Sequence, residues 1–175
     1  MKRNVEIKAR ASRGLQLFRD AARALSAAAG EIIEQEDIFF HVPAGRLKLR
    51  VLRDDYGELI YYERADQAEA RLSSYNISVT HDPSGLLSVL TRALGRRAVV
   101  RKHRELYLLG TTRIHLDTVE GLGEFIELEY VMRPEEDEVQ GQRVVSELMR
   151  QLGISEDDLI DSAYVDLLAK SESAR

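Results

Sequence analysis

The sequence predicts an α+β fold built on a large antiparallel sheet, and three observations predict it. Segments of alternating apolar and polar residues recur along the chain, the period-two pattern of strands with two unlike faces. They run in groups between three helical segments, in the order strand, helix, strands, helix, strands, helix, with no repeating βαβ unit. Several polar faces carry a strong excess of Lys and Arg, and others supply Asp and Glu.

The first strand is Asn4 to Arg10, with Asn4, Glu6, Lys8 and Arg10 on one face and Val5, Ile7 and Ala9 on the other. Ser12 is the expected N-cap of a helix over Leu15 to Ala29, with Leu15, Phe18, Ala22 and Leu25 at helical spacing and Gly30 as its stop. A strand follows from Glu31 to Val42. After the turn Pro43-Ala44-Gly45 comes the strand Arg46 to Arg53, with Lys48 and Arg50 facing one way and Leu47, Leu49 and Val51 the other. The turn Asp54 to Gly57 leads to a return strand, Leu59 to Arg64, presenting Ile60, Tyr62 and Arg64 on one face. A short strand spans Leu72 to Val79.

Asp82-Pro83 opens the second helix, striped by Leu86, Leu87, Leu90 and Leu94 and ended by Gly95. Ala98 to Leu109 reads as strand, with a break expected near Arg104-Glu105. Thr111 to Val119 and Glu124 to Met132 form a hairpin around Glu120 to Gly123. Pro134 opens a helix carrying Val144, Val145, Leu148 and Leu152, closed by Gly153. Ser155 to Asp158 makes a short acidic turn, and Tyr164 to Leu168 a last apolar one.

The chain has 175 residues, enough for one domain, expected over 1–170 with a flexible tail at 171–175. Hydrophobic content of 44% and charged content of 31% exclude a disordered chain. No apolar run approaches the roughly 20 residues of a membrane helix, no signal-peptide pattern opens the chain, and there is no cysteine. A cytoplasmic protein with no membrane association is expected. A net charge of −5 and an aromatic fraction of 6% disfavour a nucleic-acid partner. A homodimer is compatible with this composition.

The charges are unevenly placed. Lys8 with Arg10, Lys48 with Arg50, and Lys102 with Arg104 are each two apart on a strand and share a face. Arg64 and Arg113 add single bases, whereas Arg46, Arg101 and His103 read as surface. Both the guanidinium fork and the lysine ammonium suit phosphate oxygens. A solvated strand face would explain any one pair; three pairs on three strands favour an interior. Glu127 and Glu129 share another face, with Asp117 on the preceding strand and Glu6 on the first. Carboxylates among so many bases can hold a hard divalent cation, or pair with those bases as a charge network. His115 alternates with Arg113 and Asp117 and reads as an ordinary hydrogen-bonded histidine. Gly121-x-Gly123 is hairpin chemistry.

With these residues in place, the chain resembles the CYTH superfamily, the triphosphate tunnel metalloenzymes. The family's first-strand signature, Glu-x-Glu-x-Lys, falls on Asn4, Glu6 and Lys8. Gly45-Arg-Leu-Lys-Leu-Arg50, Leu59-Ile-Tyr-Tyr-Glu-Arg64, Val100-Arg-Lys-His-Arg104, the stretch Arg113 to Glu129 and Tyr164-Val-Asp-Leu-Leu168 follow in family order. The resemblance implies an eight-stranded antiparallel barrel, open at its ends, with helices packed outside and a tunnel that binds a triphosphate. It implies Mg²⁺ or Mn²⁺ on Glu6, Asp117, Glu127 and Glu129. Phosphate would be bound by Lys8, Arg10, Lys48, Arg50, Arg64, Lys102, Arg104 and Arg113, of which Lys8, Arg50, Lys102 and Arg104 would act in catalysis. Asn4 departs from the signature by replacing an acid, which favours one metal over two.

The expected activity is hydrolysis of a nucleoside, thiamine or inorganic triphosphate. The alternatives are class IV adenylyl cyclase chemistry, giving cyclic AMP and pyrophosphate, and a non-catalytic anion-binding module. Overall similarity is nearest the cyclase branch. The lean to hydrolysis rests on the His-Phe element such cyclases carry ahead of the first strand, where this sequence has only Met1 to Arg3.

Overall fold

A computed structural model describes residues 2–173. Eight antiparallel strands close into a barrel: β1 (Lys2–Arg10), β2 (Glu31–Phe40), β3 (Arg46–Arg53), β4 (Tyr56–Arg64), β5 (Arg71–Thr80), β6 (Arg96–Leu109), β7 (Thr112–Val119) and β8 (Gly123–Val131). Their order around the barrel is β1-β5-β4-β3-β2-β6-β7-β8, so the first strand closes it by pairing with both β5 and β8. Four helices lie outside: α1 (Leu15–Ser26), α2 (Pro83–Leu94), α3 (Glu138–Leu152) and α4 (Tyr164–Ser173). The α+β class and the eight-stranded barrel expected from the sequence are both present.

The barrel turns the usual core inside out. Val5, Ile7 and Ala9 point outward and pack with Leu15 and Phe18 of α1, Val145 and Leu148 of α3, and Ile126 and Leu128 of β8. Burying such side chains fully is worth about 1.5–3 kcal/mol each, so this outer layer supplies most of the cohesion. Gly141 lets α3 approach β1 closely, since a Cβ there would lie 2.6 Å from Val5 Cγ2. On the opposite side Leu86, Leu87 and Leu90 of α2 cover Ile38, Phe40 and Leu49.

Several local expectations are corrected. Ser12 does not cap α1; its hydroxyl donates to Asp158 Oδ2 at 3.0 Å, Gly14 holds the cap position, and Glu124 accepts from the Leu15 amide. Gly30 does not end that helix, which stops at a left-handed Ala27. Gly30 instead leaves room for the Tyr107 ring, 2.6 Å from where its Cβ would be. Asp137, not Pro134, starts α3, through a capping box with Gln140. β6 is unbroken, because Arg104 and Glu105 pair with β2 on one side and β7 on the other. The last apolar turn is a full helix to Ser173, covering part of the tail expected at 171–175; residues 174–175 lie outside the described residues.

The barrel is not open at both ends as the resemblance implied: the segment before α4 shuts one of them. Ile160 donates its amide to the Lys8 carbonyl at 2.8 Å, and Leu159 bridges Ala9. Ile160, Ala163, Tyr164 and Val165 then pack among Phe39, Val100, Val119 and Phe125. Arg71, wholly buried, donates through Nη1 to the carbonyls of Gln67, Ile160 (3.1 Å) and Asp161 (3.2 Å). Arg46, expected at the surface, pairs with Asp66 and with Asp166 of α4, at 2.9 and 2.8 Å.

Candidate functional site

Because side chains alternate along every strand, the polar faces of all eight meet inside the barrel. The resulting cavity, about 130 Å³, is lined by Glu6, Lys8, Lys48, Arg50, Arg64, Lys102, Arg104, Arg113, Glu127 and Glu129, with Asp37 and Asn4. Seven cationic and four carboxylate side chains give an excess of three positive charges when all are ionised. It opens into a wider vestibule of about 640 Å³, bordered by Ile33, Leu52, Tyr56, Glu58 and Ile77. At the other end Tyr164 forms the floor, its ring 3.4 Å from the Lys8 ammonium and 5.1 Å from that of Lys102.

Two sequence-derived candidates sit apart from this lining. Arg10 is exposed, its guanidinium 5.3 Å from the Phe125 ring. Asp117 is wholly buried behind the wall and fully engaged: Arg104 donates Nε and Nη2 to its two oxygens at 2.6 Å each, and Tyr164 donates its hydroxyl at 2.9 Å. Lys102 Nζ lies 3.5 Å away. Burial alone would raise the Asp117 carboxyl, but Arg104 and Lys102 outweigh it and hold it below the usual carboxylate range.

The remaining acids lie on β1 and β8. Glu127 accepts from Lys8 at 2.9 Å and from Arg104 at 2.7 Å; these cations hold it ionised against the cost of burial. Glu6 pairs with Arg64 at 2.6 Å. Glu129 faces Glu6 across the strands and has a long contact of 3.4 Å to Arg113. His115 belongs with them: its Nδ1 lies 3.5 Å from Glu127 and 3.9 Å from Glu129, and makes no hydrogen bond. Burial, then Arg104, lowers the imidazole pKa, leaving a neutral ring with a lone pair to offer.

Ligand atoms of His115, Glu127 and Glu129 all fall within 4.8 Å of one another. That grouping, the orphaned His115 Nδ1 and the equally unpartnered buried Oδ1 of Asn4 fit a divalent cation. Asp117 stands apart from this group: it lies outside the cavity lining and outside the His115, Glu127 and Glu129 cluster.

Three participants are not singled out by the sequence pattern. Asp37 accepts from Lys48 at 2.7 Å and from Arg50 at 2.9 and 3.2 Å, yet it lies in a strand whose conspicuous feature is its aromatic end. Its period-two relation to Phe39 is the available signal. Tyr164 hides in an apolar turn, and Arg71 carries no pattern at all. His115 is visible in the alternation of β7, but a lone histidine gives no sign of the acids beside it.

The site is thus a closed barrel with a cation-lined interior, a tyrosine floor and an acidic cluster on adjacent strands. The chain belongs to the CYTH family: the CYTH domain model matches residues 2–164. Members of that family are metal-dependent enzymes of triphosphate substrates, adenylyl cyclases and triphosphatases among them. A Methanocaldococcus jannaschii protein named "Putative adenylate cyclase" is 26% identical over 140 residues, 76% of this chain and 80% of its own length. The PH1012 protein of Pyrococcus horikoshii has the same fold with a TM-score of 0.82 at 25% identity, covering 95% of this chain and 99% of its own. The Hippeastrum protein named "Putative adenylyl cyclase HpAC1", described as having a dominant triphosphatase activity, superposes with a TM-score of 0.67 at 14% identity, covering 98% of this chain and 96% of its own. Among the described residues no helix is long and apolar enough to cross a membrane.

Proposed function

We propose that this protein is a divalent-metal-dependent triphosphatase that takes the phosphate chain of its substrate into the tunnel and hydrolyses a phosphoanhydride bond. The observation that carries this reading is the co-location, in one cavity floored by Tyr164, of seven cations with Glu127 and Glu129, with His115 beside these two acids on the vestibule side. Phosphoryl transfer leaves little covalent work for a protein; positioning and charge stabilisation dominate. Lys8, Arg50, Lys102 and Arg104 would offset the charge that builds on the phosphate oxygens. Lys48, Arg64 and Arg113 would orient the rest of the chain. Arg10 contributes less, given its position outside the lining.

Glu127, Glu129 and His115 would hold Mg²⁺ or Mn²⁺, with Glu6 and Asn4 beside them. When bound, the metal supplies Lewis-acid polarisation of the phosphate oxygens. Asp117 would serve by fixing Arg104 and Lys102 rather than as a ligand. Water adds to phosphorus, the bridging oxygen departs with the bonding electrons, and the released protons pass to solvent.

The test is a panel of tripolyphosphate, thiamine triphosphate and ATP with Mg²⁺ or Mn²⁺, reading orthophosphate, pyrophosphate and cyclic AMP together. Metal-dependent orthophosphate release is expected. Cyclic AMP with pyrophosphate alone would favour the cyclase reading, which the name of the Methanocaldococcus relative also suggests. Glu127→Gln and Glu129→Gln should abolish turnover while leaving anion binding intact, and unchanged turnover would overturn the metal assignment. Binding without any turnover by the unmutated protein would mark a non-catalytic module.

A further inference from the structure

The tunnel wall contains one constellation twice. On β6, Lys102 and Arg104 are two apart and meet a buried aspartate, Asp117, directly across the strand pair. On β3, Lys48 and Arg50 are two apart and meet a buried aspartate, Asp37, directly across the β2–β3 pair. The guanidinium edge engaged is the same in both. Arg104 gives Nε and Nη2 to Asp117, and Arg50 gives Nε and Nη2 to Asp37. In each case the Nη1 side of the fork stays turned away from the aspartate. Lys48 spends one of its three donors on Asp37, leaving two.

We propose that Asp37 is a positioning residue of the triphosphate tunnel: it holds Lys48 and Arg50 so that their remaining donors converge on the phosphate chain. The inference rests on the tunnel being the phosphate site. Two long cationic side chains on one strand face repel one another, and each has rotamer freedom to lose when phosphate arrives. A carboxylate that is 2% exposed and bonded to both removes the repulsion and fixes both rotamers beforehand. Asp37 itself borders the cavity, so it acts through its partners at close range. Lys48 is surrounded by Asp37 and the Phe39 ring of β2, Arg50 of β3, the Tyr62 ring of β4 and Lys102 of β6. Asp37 is the one anion among these named neighbours.

The discriminating measurement is calorimetric binding of inorganic tripolyphosphate without metal, comparing the unmutated protein with Asp37→Asn between pH 6 and 9. Simple electrostatics says that removing a negative charge from the tunnel tightens binding of a polyanion. Positioning says the opposite, with affinity falling about tenfold at pH 7, the range seen when outer-shell partners are lost. The alkaline loss of affinity should also begin at lower pH in the variant, because the carboxylate that keeps Lys48 protonated is gone. Equal or tighter binding with an unmoved pH profile overturns the proposal. Absence of binding by the unmutated protein overturns the tunnel reading, and this inference with it.

Should Asp37→Asn fail to fold, the unmutated protein still decides the matter by NMR of its lysine ε-methylene groups, with Lys48 assigned from Lys48→Arg. A held side chain gives Lys48 two distinct ε-proton shifts in the absence of phosphate. A single averaged shift would show that nothing positions it.

Discussion

The two aspartate clamps share a residue pattern and differ in their surroundings. Around Asp117 the wall is sealed: Arg104 and Lys102 are 5% and 4% exposed, Tyr164 adds a third kind of donor, and Arg104 continues on to Glu127. Around Asp37 the wall is looser: Arg50 and Lys48 are 17% and 12% exposed, and Arg50 next approaches Glu58, 3.9 Å away at the vestibule. The difference teaches that a Lys-x-Arg strand face has no fixed meaning by itself. With Tyr164 and Glu127 behind it, the pair belongs to the frame of the protein as well as to its site. Without them it remains a partly exposed lining of the cavity.

The largest break in this comparison should come from Arg104→Ala. It leaves the buried Asp117 without its forked partner and releases Glu127, so unfolding stability should fall by about 3–5 kcal/mol in urea titrations, together with loss of turnover. Arg50→Ala removes the same atoms from the looser clamp. Lys48 remains on Asp37 and solvent is nearer, so the stability loss should be about 1–3 kcal/mol, with tripolyphosphate affinity the more sensitive readout. Equal losses for the two arginines would erase the distinction.

Tyr164→Phe sharpens it from the other side. The hydroxyl gives only the sealed clamp a hydrogen bond to a charged acceptor, so about 1.5 kcal/mol should be lost, read as a lower melting temperature. The ring that floors the tunnel is retained.

The smallest effect is a pH dependence contributed by Lys48 in the looser clamp. Burial, followed by Arg50, lowers the Lys48 pKa to about 7, against an unfolded value near 10.4. Between these values the unfolded chain binds more protons, so the stability of the phosphate-free protein should rise with pH. Affinity for phosphate should fall over the same interval as the ammonium is lost. Melting curves at pH 7 and 8 should show a gain of up to about 1 kcal/mol relative to Lys48→Met. A difference of opposite sign would contradict the burial-dominated shift.

Much of the barrel is legible in the sequence because period-two alternation survives whichever way the charged face points. Lys8, Lys48, Arg50, Lys102 and Arg104 can therefore be grouped from spacing and charge alone. What alternation leaves out is which strands are neighbours. Asp37 gains its meaning from lying across from Arg50, and that register is set by a turn rather than by the strand's own residues. His115 gains its place by lying across from Glu127. Alternation puts Asp117 among the bases, where it is found, and the family resemblance assigns it to metal. Spacing cannot show that two of its neighbours and a tyrosine have already filled its oxygens. The helix starts mislead for different reasons: Ser12 is drawn to the distant Asp158, whereas Pro134 is displaced by the local capping box of Asp137 with Gln140.

The placement of β1 between β5 and β8 also governs how the chain can be assembled. Lys2 to Arg10 are made before either of their partners: one edge waits for residues 71–75 and the other for residues 125–131. The carbonyl of Lys8 waits longer still, for the amide of Ile160. Pairings this distant in sequence make closure slow relative to hairpin formation. Until then the outward row Val5, Ile7 and Ala9 is an uncovered strand, and the nascent chain is most open to misassociation at the strand whose partners arrive last.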